Sequence, residues 1–305
     1  HSRDGRRWNE DVRQGEGSMT TTVITGSSTG IGYATALRLA AGGHSVVATM
    51  RNPDSSDLGS VAKDRNLDVD VRPLDVNDGA AVDELFAEVR ASRGAIDVLV
   101  NNAGLGVPAN GSGGAVEEIE MEAFRELMDT NFFGALRCTK AVLPSMRERA
   151  SGCIVNVSSQ AGRLAMPIMS AYCASKWALE AVSESLATEV APFGIRVALV
   201  EPGMILTPIW SKVDMTPPTG PYAPMRMRLG RTVLQEMASG SPPEEVADCI
   251  AQAISTDEPR LRWLVGQGAT RNIANRRAMT DEEFAALWNG PDEEFFARMF
   301  AEPGS

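Results

Sequence analysis

Histidine is nearly missing from this chain, at His1 and His44 only, and the four cysteines, Cys138, Cys153, Cys173 and Cys249, form no C-x-x-C pair. The spacings therefore offer no Cys/His zinc site, and the cysteines read as reduced, mostly buried thiols. Positive charge is in deficit too: 29 Lys and Arg face 40 Asp and Glu, for a net charge of −11. General binding to nucleic acid or to an anionic membrane surface rewards the opposite balance. There is no run of about 18 apolar residues to span a membrane, and no apolar core of a secretory signal near the N-terminus. A cytoplasmic protein is expected. Internal repeats and low-complexity tracts are absent as well. What is there, 305 residues at 43% hydrophobic and 23% charged, is the composition of a soluble globular protein with a sizeable core, as one large domain or two small ones.

Residues 1–18 are polar, charged and glycine-containing, without an initiating methionine, and read as a leader or disordered arm outside the fold. Thr21 to Thr25 then reads as a short buried strand, followed by Gly26-Ser27-Ser28-Thr29-Gly30-Ile31-Gly32 and a helical pattern to about Ala41. In that order, the glycines let the backbone turn tightly and approach a pyrophosphate, whose charge the helix N-terminus stabilises. As a lone motif the G-x-x-x-G-x-G spacing is equally a simple glycine-rich turn. Strands at Ser45 to Met50, Leu67 to Arg72, Ile96 to Asn101, Cys153 to Ser158 and Ile195 to Glu201 alternate with helices at about Ala80 to Ser92, Met121 to Glu148 and Ala171 to Val190. This alternation predicts an α/β fold, a doubly wound (Rossmann) parallel sheet of about seven strands with helices on both faces, forming one domain over residues 19–270. In such sheets ligands bind at the carboxyl ends of the strands. Asp75, Asn101-Asn102-Ala103-Gly104, Ser158-Ser159 and Pro202-Gly203 all stand there, on one edge.

From Met204 to Gly240 the chain is rich in proline and methionine and lacks a steady period, which reads as an active-site flap with one or two short helices. A helix follows Ser241-Pro242-Pro243, Leu261 to Val265 reads as a last strand, and a tail over 271–305 has helical pieces near Asp281 to Trp288 and Asp292 to Phe300.

Tyr172 and Lys176 stand four residues apart in a predicted helix, so a phenol and an ammonium share one face. An ammonium beside a phenol favours the phenolate, and such a tyrosine would exchange a proton with a substrate oxygen. Taken alone, such a pair is more often a surface i,i+4 contact with no chemistry. Of the three tyrosines, only this one has a lysine at that spacing.

Together, Thr25-Gly26-x-x-x-Gly30-Ile31-Gly32, Asp75, Asn101-Asn102-Ala103-Gly104, Asn131, Ser159, Tyr172-x-x-x-Lys176 and Pro202-Gly203 with Thr207 resemble the short-chain dehydrogenase/reductase family over about Thr21 to Val265. Within it, the run Tyr172 to Glu180 and Ala48-Thr49-Met50-Arg51 look most like 17β-hydroxysteroid dehydrogenases of the estrogenic type and the retinol dehydrogenases near them. Unlike the estrogenic members, the chain has no histidine in its flap or tail. The resemblance implies hydride transfer between a nicotinamide and a secondary alcohol or ketone. It makes Tyr172 the general acid/base and Ser159 a hydrogen-bond partner of the substrate oxygen. Lys176 would bind the nicotinamide ribose and lower the tyrosine pKa, and Asn131 would hold a water in a proton relay. It assigns the cofactor to Gly26, Ser28, Gly30, Ile31, Arg51, Asp75, Val76, Asn102, Ala103, Gly104, Pro202, Gly203 and Thr207 besides Tyr172 and Lys176. It also implies a homodimer or homotetramer packed through the helices that carry Asn131 and Tyr172. A nucleotide-binding sensor of the same fold is the alternative from another class, although such proteins typically lose the tyrosine or the lysine.

Cofactor choice is expected to follow the end of the second strand. Thr49-Met50-Arg51-Asn52 stands there with no carboxylate until Asp54, and an arginine binds a 2′-phosphate that a carboxylate would repel, so NADP(H) is expected over NAD(H). A flap holding Ile205, Leu206, Ile209, Trp210, Val213 and several methionines, facing Met166 and Met169, predicts an adaptable apolar wall for an apolar small-molecule substrate such as a steroid.

Overall fold

The computed structural model describes residues 19–106, 114–209, 217–258 and 260–302. The expected leader at 1–18 and the flap residues Trp210, Val213 and Met215 lie outside the described residues. Seven parallel strands form one sheet in the order β3-β2-β1-β4-β5-β6-β7, from β1 (Thr21–Ile24), β2 (Ser45–Met50), β3 (Val69–Pro73), β4 (Val98–Asn101), β5 (Gly152–Val157), β6 (Ile195–Pro202) and β7 (Arg262–Val265). β1, β2 and β4 are buried along their whole length. Runs such as Ser45-Val-Val-Ala-Thr-Met50 suit this position, because a parallel sheet is covered on both faces and its strands have no water-facing side.

Alternate residues of each strand feed two cores. Ile24, Val46 and Val100 pack under α1 (Gly30–Ala41) and α8 (Pro243–Ser255), whereas Val23, Val47 and Leu99 pack under α3 (Gly79–Arg93), α5 (Ala135–Glu148) and α6 (Ser170–Val190). The chain leaves β1 toward β2 and β3, then crosses back to β4 on the other side of β1. The carboxyl ends of β1 and β4 therefore diverge into loops on opposite faces and open a crevice, the position where ligands bind in open α/β sheets. Among the described residues no helix is long and apolar enough to cross a membrane.

Four local features differ from the expectation. α2 (Leu58–Asp64) was not anticipated, being only seven residues, about two turns. The expected continuous helix from Met121 to Glu148 is α4 (Met121–Met128) and α5 joined by a π turn at Asp129–Gly134. The wider turn brings Gly134 against Val76, where a side-chain carbon would stand 2.6 Å from Val76 Cγ2. The flap holds one long helix, α7 (Ala223–Met237), rather than one or two short ones. Its inward stripe is Met225, Leu229, Thr232 and Glu236, and two polar residues in four hide the apolar period. α9 (Ala269–Arg277) spans the point near residue 270 where the catalytic domain was expected to give way to a tail, and it buries Asn272 and Asn275 beside Ile273. α10 (Asp281–Asn289) and α11 (Asp292–Met299) follow, α10 opened by a capping box between Thr280 and Glu283.

Candidate active site

The crevice holds a cavity of about 310 Å³. Every residue assigned to the cofactor from the sequence stands on its wall: Gly26, Ser28, Gly30 and Ile31 from the glycine loop, Arg51 after β2, Asp75 and Val76 after β3, Asn102, Ala103 and Gly104 after β4, Pro202, Gly203 and Thr207 after β6, and Tyr172 and Lys176 of α6. Ser159 lines it as well. Ser158, placed on this edge from the sequence, lines it too, whereas Met50, Leu74 and Val157, which also stand at strand ends here, were not assigned to the site. Asn77 and Thr130, hydrogen-bonded to each other at 3.0 Å across 53 residues, carried no such signal.

The glycine loop is held by its neighbours. Thr25 Oγ1 accepts from the N–H groups of Asn102 and Ala103 at 3.1 and 3.0 Å, and Asn102 Nδ2 donates to the carbonyls of Thr25 and Gly26, both at 2.9 Å. Gly26 has φ of +69°, and a side-chain carbon there would stand 2.6 Å from Ala103 Cα; one at Gly32 would stand 2.4 Å from Asn102 Nδ2. These two glycines let β1 and β4 approach each other, which shapes the crevice from behind. The start of α1 is left open to a ligand: Thr29 at its cap makes no side-chain capping bond, and the first turn has no acidic residue. Uncapped N–H groups and the positive helix end suit a phosphate.

Beside the nucleotide end of the crevice, Arg51 is exposed and makes no ion pair among the described residues. The nearest acidic group downstream, Asp54, donates its N–H to Asn52 Oδ1 within its own turn, Pro53–Ser55, and does not line the cavity.

At the other end, the side chains of Ser159 and Tyr172 line the cavity together, and the Ser159 hydroxyl favours the Tyr172 phenolate. Ser159 Oγ also accepts from Ala161 N at 3.1 Å, which fixes its rotamer at the start of the turn Gln160–Gly162. Lys176 is buried, and its Nζ donates to Val157 O at 2.9 Å and lies 5.9 Å from the Tyr172 ring centroid. Asn131 is buried with its side chain fully engaged: Oδ1 accepts from Leu105 N at 2.7 Å, and Nδ2 donates to Leu105 O and Ser175 Oγ, both at 2.9 Å. It thereby ties the loop after β4 to the first turn of α6. A water held by the Asn131 side chain would donate to the remaining lone pair of Oδ1, since both Nδ2 hydrogens are used.

The electrostatics correct one expectation. Burial pushes the Tyr172 phenol up to about 12, against a lowering contribution from the Ser159 hydroxyl, and burial pulls the Lys176 ammonium down to about 8, against the field of Glu180. Among the protein's own groups, then, Lys176 does not acidify Tyr172. The desolvation cost of both side chains exceeds their attraction, and the ammonium points at a carbonyl rather than the phenol. At neutral pH Tyr172 is a protonated donor whose hydroxyl meets Ser159 in the cavity.

A model of the family described as short chain dehydrogenase matches residues 20–217. The chain belongs to that family. The short-chain dehydrogenases it resembles include 3-ketodihydrosphingosine reductase of Bacteroides thetaiotaomicron, 37% identical over 80% of this chain and 87% of that protein. Human retinol dehydrogenase 8 is 36% identical over 79% of this chain and 80% of its own length, and human 17-beta-hydroxysteroid dehydrogenase type 1 is 34% identical over 81% and 77%. A short-chain dehydrogenase from Streptomyces avermitilis superposes with a TM-score of 0.75 at 35% identity, covering 89% of this chain and 96% of its own. Actinorhodin polyketide ketoreductase, solved with NADPH, superposes with a TM-score of 0.69 at 29% identity over 81% of this chain and 95% of its own. The chain is thus an oxidoreductase of an NAD(P)-dependent family, with relatives among the hydroxysteroid and retinol dehydrogenases.

Proposed function

We propose that this short-chain dehydrogenase interconverts a bulky, apolar secondary alcohol and its ketone, with NADP(H) preferred over NAD(H). The observation that carries the reading is the convergence of Tyr172, Ser159 and Lys176 on one cavity whose opposite end presents an uncapped helix and Arg51. Bound NADPH supplies the hydride that reaches the carbonyl carbon. Tyr172 gives its proton to the carbonyl oxygen in the same direction and takes it back in the reverse one. Ser159 donates to that oxygen as charge develops on it, a contribution that grows in a site shielded from water. Lys176 holds the ribose and contributes positive charge near the phenol, and Asn131 keeps α6 in register with the loop after β4. Gly26, Ser28, Gly30 and Ile31 at the start of α1 would hold the pyrophosphate, Asp75 and Val76 the adenine, Asn102, Ala103 and Gly104 the middle of the cofactor, and Pro202, Gly203 and Thr207 its nicotinamide end, all of them lining the cavity. Arg51 would bind the 2′-phosphate.

The apolar substrate wall is supported by Leu105, Ile205 and Ile209 on the cavity and by Met166 of the loop before α6, which packs on an aromatic cluster of the tail. The names of the relatives fit such a substrate, whether steroid, retinoid or long-chain keto base. A panel of these compounds and a four-carbon ketone, assayed by NADPH and NADH oxidation, tests the reading. Higher kcat/KM for the bulky members with NADPH is expected; equal kcat/KM for a steroid and the four-carbon ketone would overturn it. Assembly as a homodimer or homotetramer is supported by Phe133 and Trp177, 44% and 49% exposed on the segments that carry Asn131 and Tyr172. Light scattering at micromolar concentration checks this, a monomer contradicting it.

A further inference from the structure

Behind Lys176 lies a buried charge cluster that the proposed chemistry does not use. Glu180 follows Lys176 by one turn of α6 and is 4% exposed, and Glu201, near the end of β6, is 1% exposed. Arg262 of β7 donates from Nε to Glu180 Oε2 at 3.0 Å and from Nη2 to Glu184 Oε2 at 2.6 Å, and its Nε stands 3.3 Å from Glu201 Oε1. Arg163, after the turn that begins at Ser159, reaches Glu201 Oε1 at 3.1 Å. Three carboxylates, Glu180, Glu184 and Glu201, thus face two guanidiniums. Of these carboxylates, Glu180 stands one helical turn from the Lys176 cation on α6.

Lys176 needs such a counter-charge. A buried ammonium whose hydrogen-bond partner is a neutral carbonyl, here Val157 O, is held charged only by nearby negative field. The titratable groups beside it on α6 are Tyr172 and Cys173, and burial keeps both protonated and neutral. Glu201 is pushed up to about 7, first by its own burial and then by Glu180. Glu180 Oε1 is buried and makes no hydrogen bond, so its charge is not spent on a local donor. Arg262, holding the other oxygen, fixes the side chain in place.

We propose that Glu180 is a positioning residue that keeps Lys176 an ammonium at neutral pH, its field partly offset by the Arg262 guanidinium bonded to its other oxygen. The inference deepens the reaction proposed above, in which Lys176 acts as a cation, but it concerns a charge state that can be read without turnover. The other lysines are Lys63, Lys140 and Lys212, so selectively labelled lysine gives a sparse spectrum in which the Lys176 ¹³Cε resonance is assigned by its loss in Lys176→Met. Its titration in the full-length protein is the measurement. Glu180→Gln should lower the Lys176 midpoint by about one pH unit, and Arg262→Gln, which removes a repelling cation, should raise it. The opposite signs separate a field effect from general damage, and Arg262→Gln decides if Glu180→Gln does not fold. An unmoved or raised midpoint in Glu180→Gln, or a lowered one in Arg262→Gln, would overturn the proposal. Shifted midpoints in a protein that oxidises no NADPH on any ketone would instead sink the reaction and leave this inference standing.

Discussion

The two ends of the cavity are built by different means. At the nucleotide end, short sequence signals do the work: Gly26 and Gly32 allow close backbone approach, Thr25 and Asn102 bond their side chains to the main chain across β1 and β4, and each residue stands within a few positions of a strand end. At the substrate end, segments far apart in the chain meet through side chains. Asn272 of α9 donates to Gln160 Oε1 at 2.9 Å beside Ser159, Arg271 pairs with Glu236 of α7, and Asn275 Nδ2 donates to Ala301 O at 2.9 Å. Phe295 and Trp288 form a second core there with Met225, Leu229 and Met166. A nucleotide pocket fixed by backbone geometry binds one chemical shape, whereas a wall assembled from helices, methionines and buried polar links varies with sequence at little cost to the sheet.

If that contrast holds, substitutions at the two ends should separate cofactor affinity from substrate selection. Phe295→Ala empties a fully buried site of the tail core, and removal of such a ring costs about 3–5 kcal/mol. Thermal unfolding should show that loss, kcat/KM for bulky ketones should fall more than for the four-carbon ketone, and NADPH Kd should stay within about threefold. A change in Kd as large as the change in selectivity would erase the distinction. Arg51→Ala should do the reverse, weakening NADPH by roughly 10- to 100-fold through loss of a charge-assisted hydrogen bond while NADH and substrate preference hold. Equal loss for both cofactors, measured by fluorescence titration, would remove Arg51 as the phosphate ligand.

The smallest expected effect is on pH dependence. Glu201 titrates near 7 in the folded chain, against about 4.5 for an ordinary carboxylate, so the folded state keeps a proton that the unfolded state releases in that window. Its contribution to stability is present below about 4.5 and is lost as pH rises through about 7. Thermal melts of Glu201→Gln should therefore show a shallower fall in Tm between pH 5 and pH 8 than the natural chain; parallel curves would contradict the assignment.

How much of this was readable in the sequence follows from the same contrast. The order of strands, their carboxyl-end residues and the Tyr172–Lys176 pair were legible because a parallel strand is a run of apolar residues and a helix puts i and i+4 on one face. α7 and α9 were not, because Thr232, Glu236, Asn272 and Asn275 occupy their inward positions; Thr232 bonds back to Arg228 O, and the other three make sense only against partners tens of residues away. The π turn that sets Asn131 was invisible for a similar reason, since it answers to Val76 across the fold. The protonation of Tyr172 was misjudged because burial, which outweighs its neighbour's charge, is a property of the assembled site.

The central claim is that Tyr172 supplies the proton in hydride transfer at a cofactor site formed without it. Tyr172→Phe, which deletes the hydroxyl and keeps the ring, is the direct test, with NADPH affinity and turnover of the best ketone measured on the same preparation. Unchanged Kd within about threefold and a fall in kcat of about 10²–10⁴-fold are predicted. Retention of more than about a tenth of kcat, well inside the span expected for a lost acid/base group, would contradict the account.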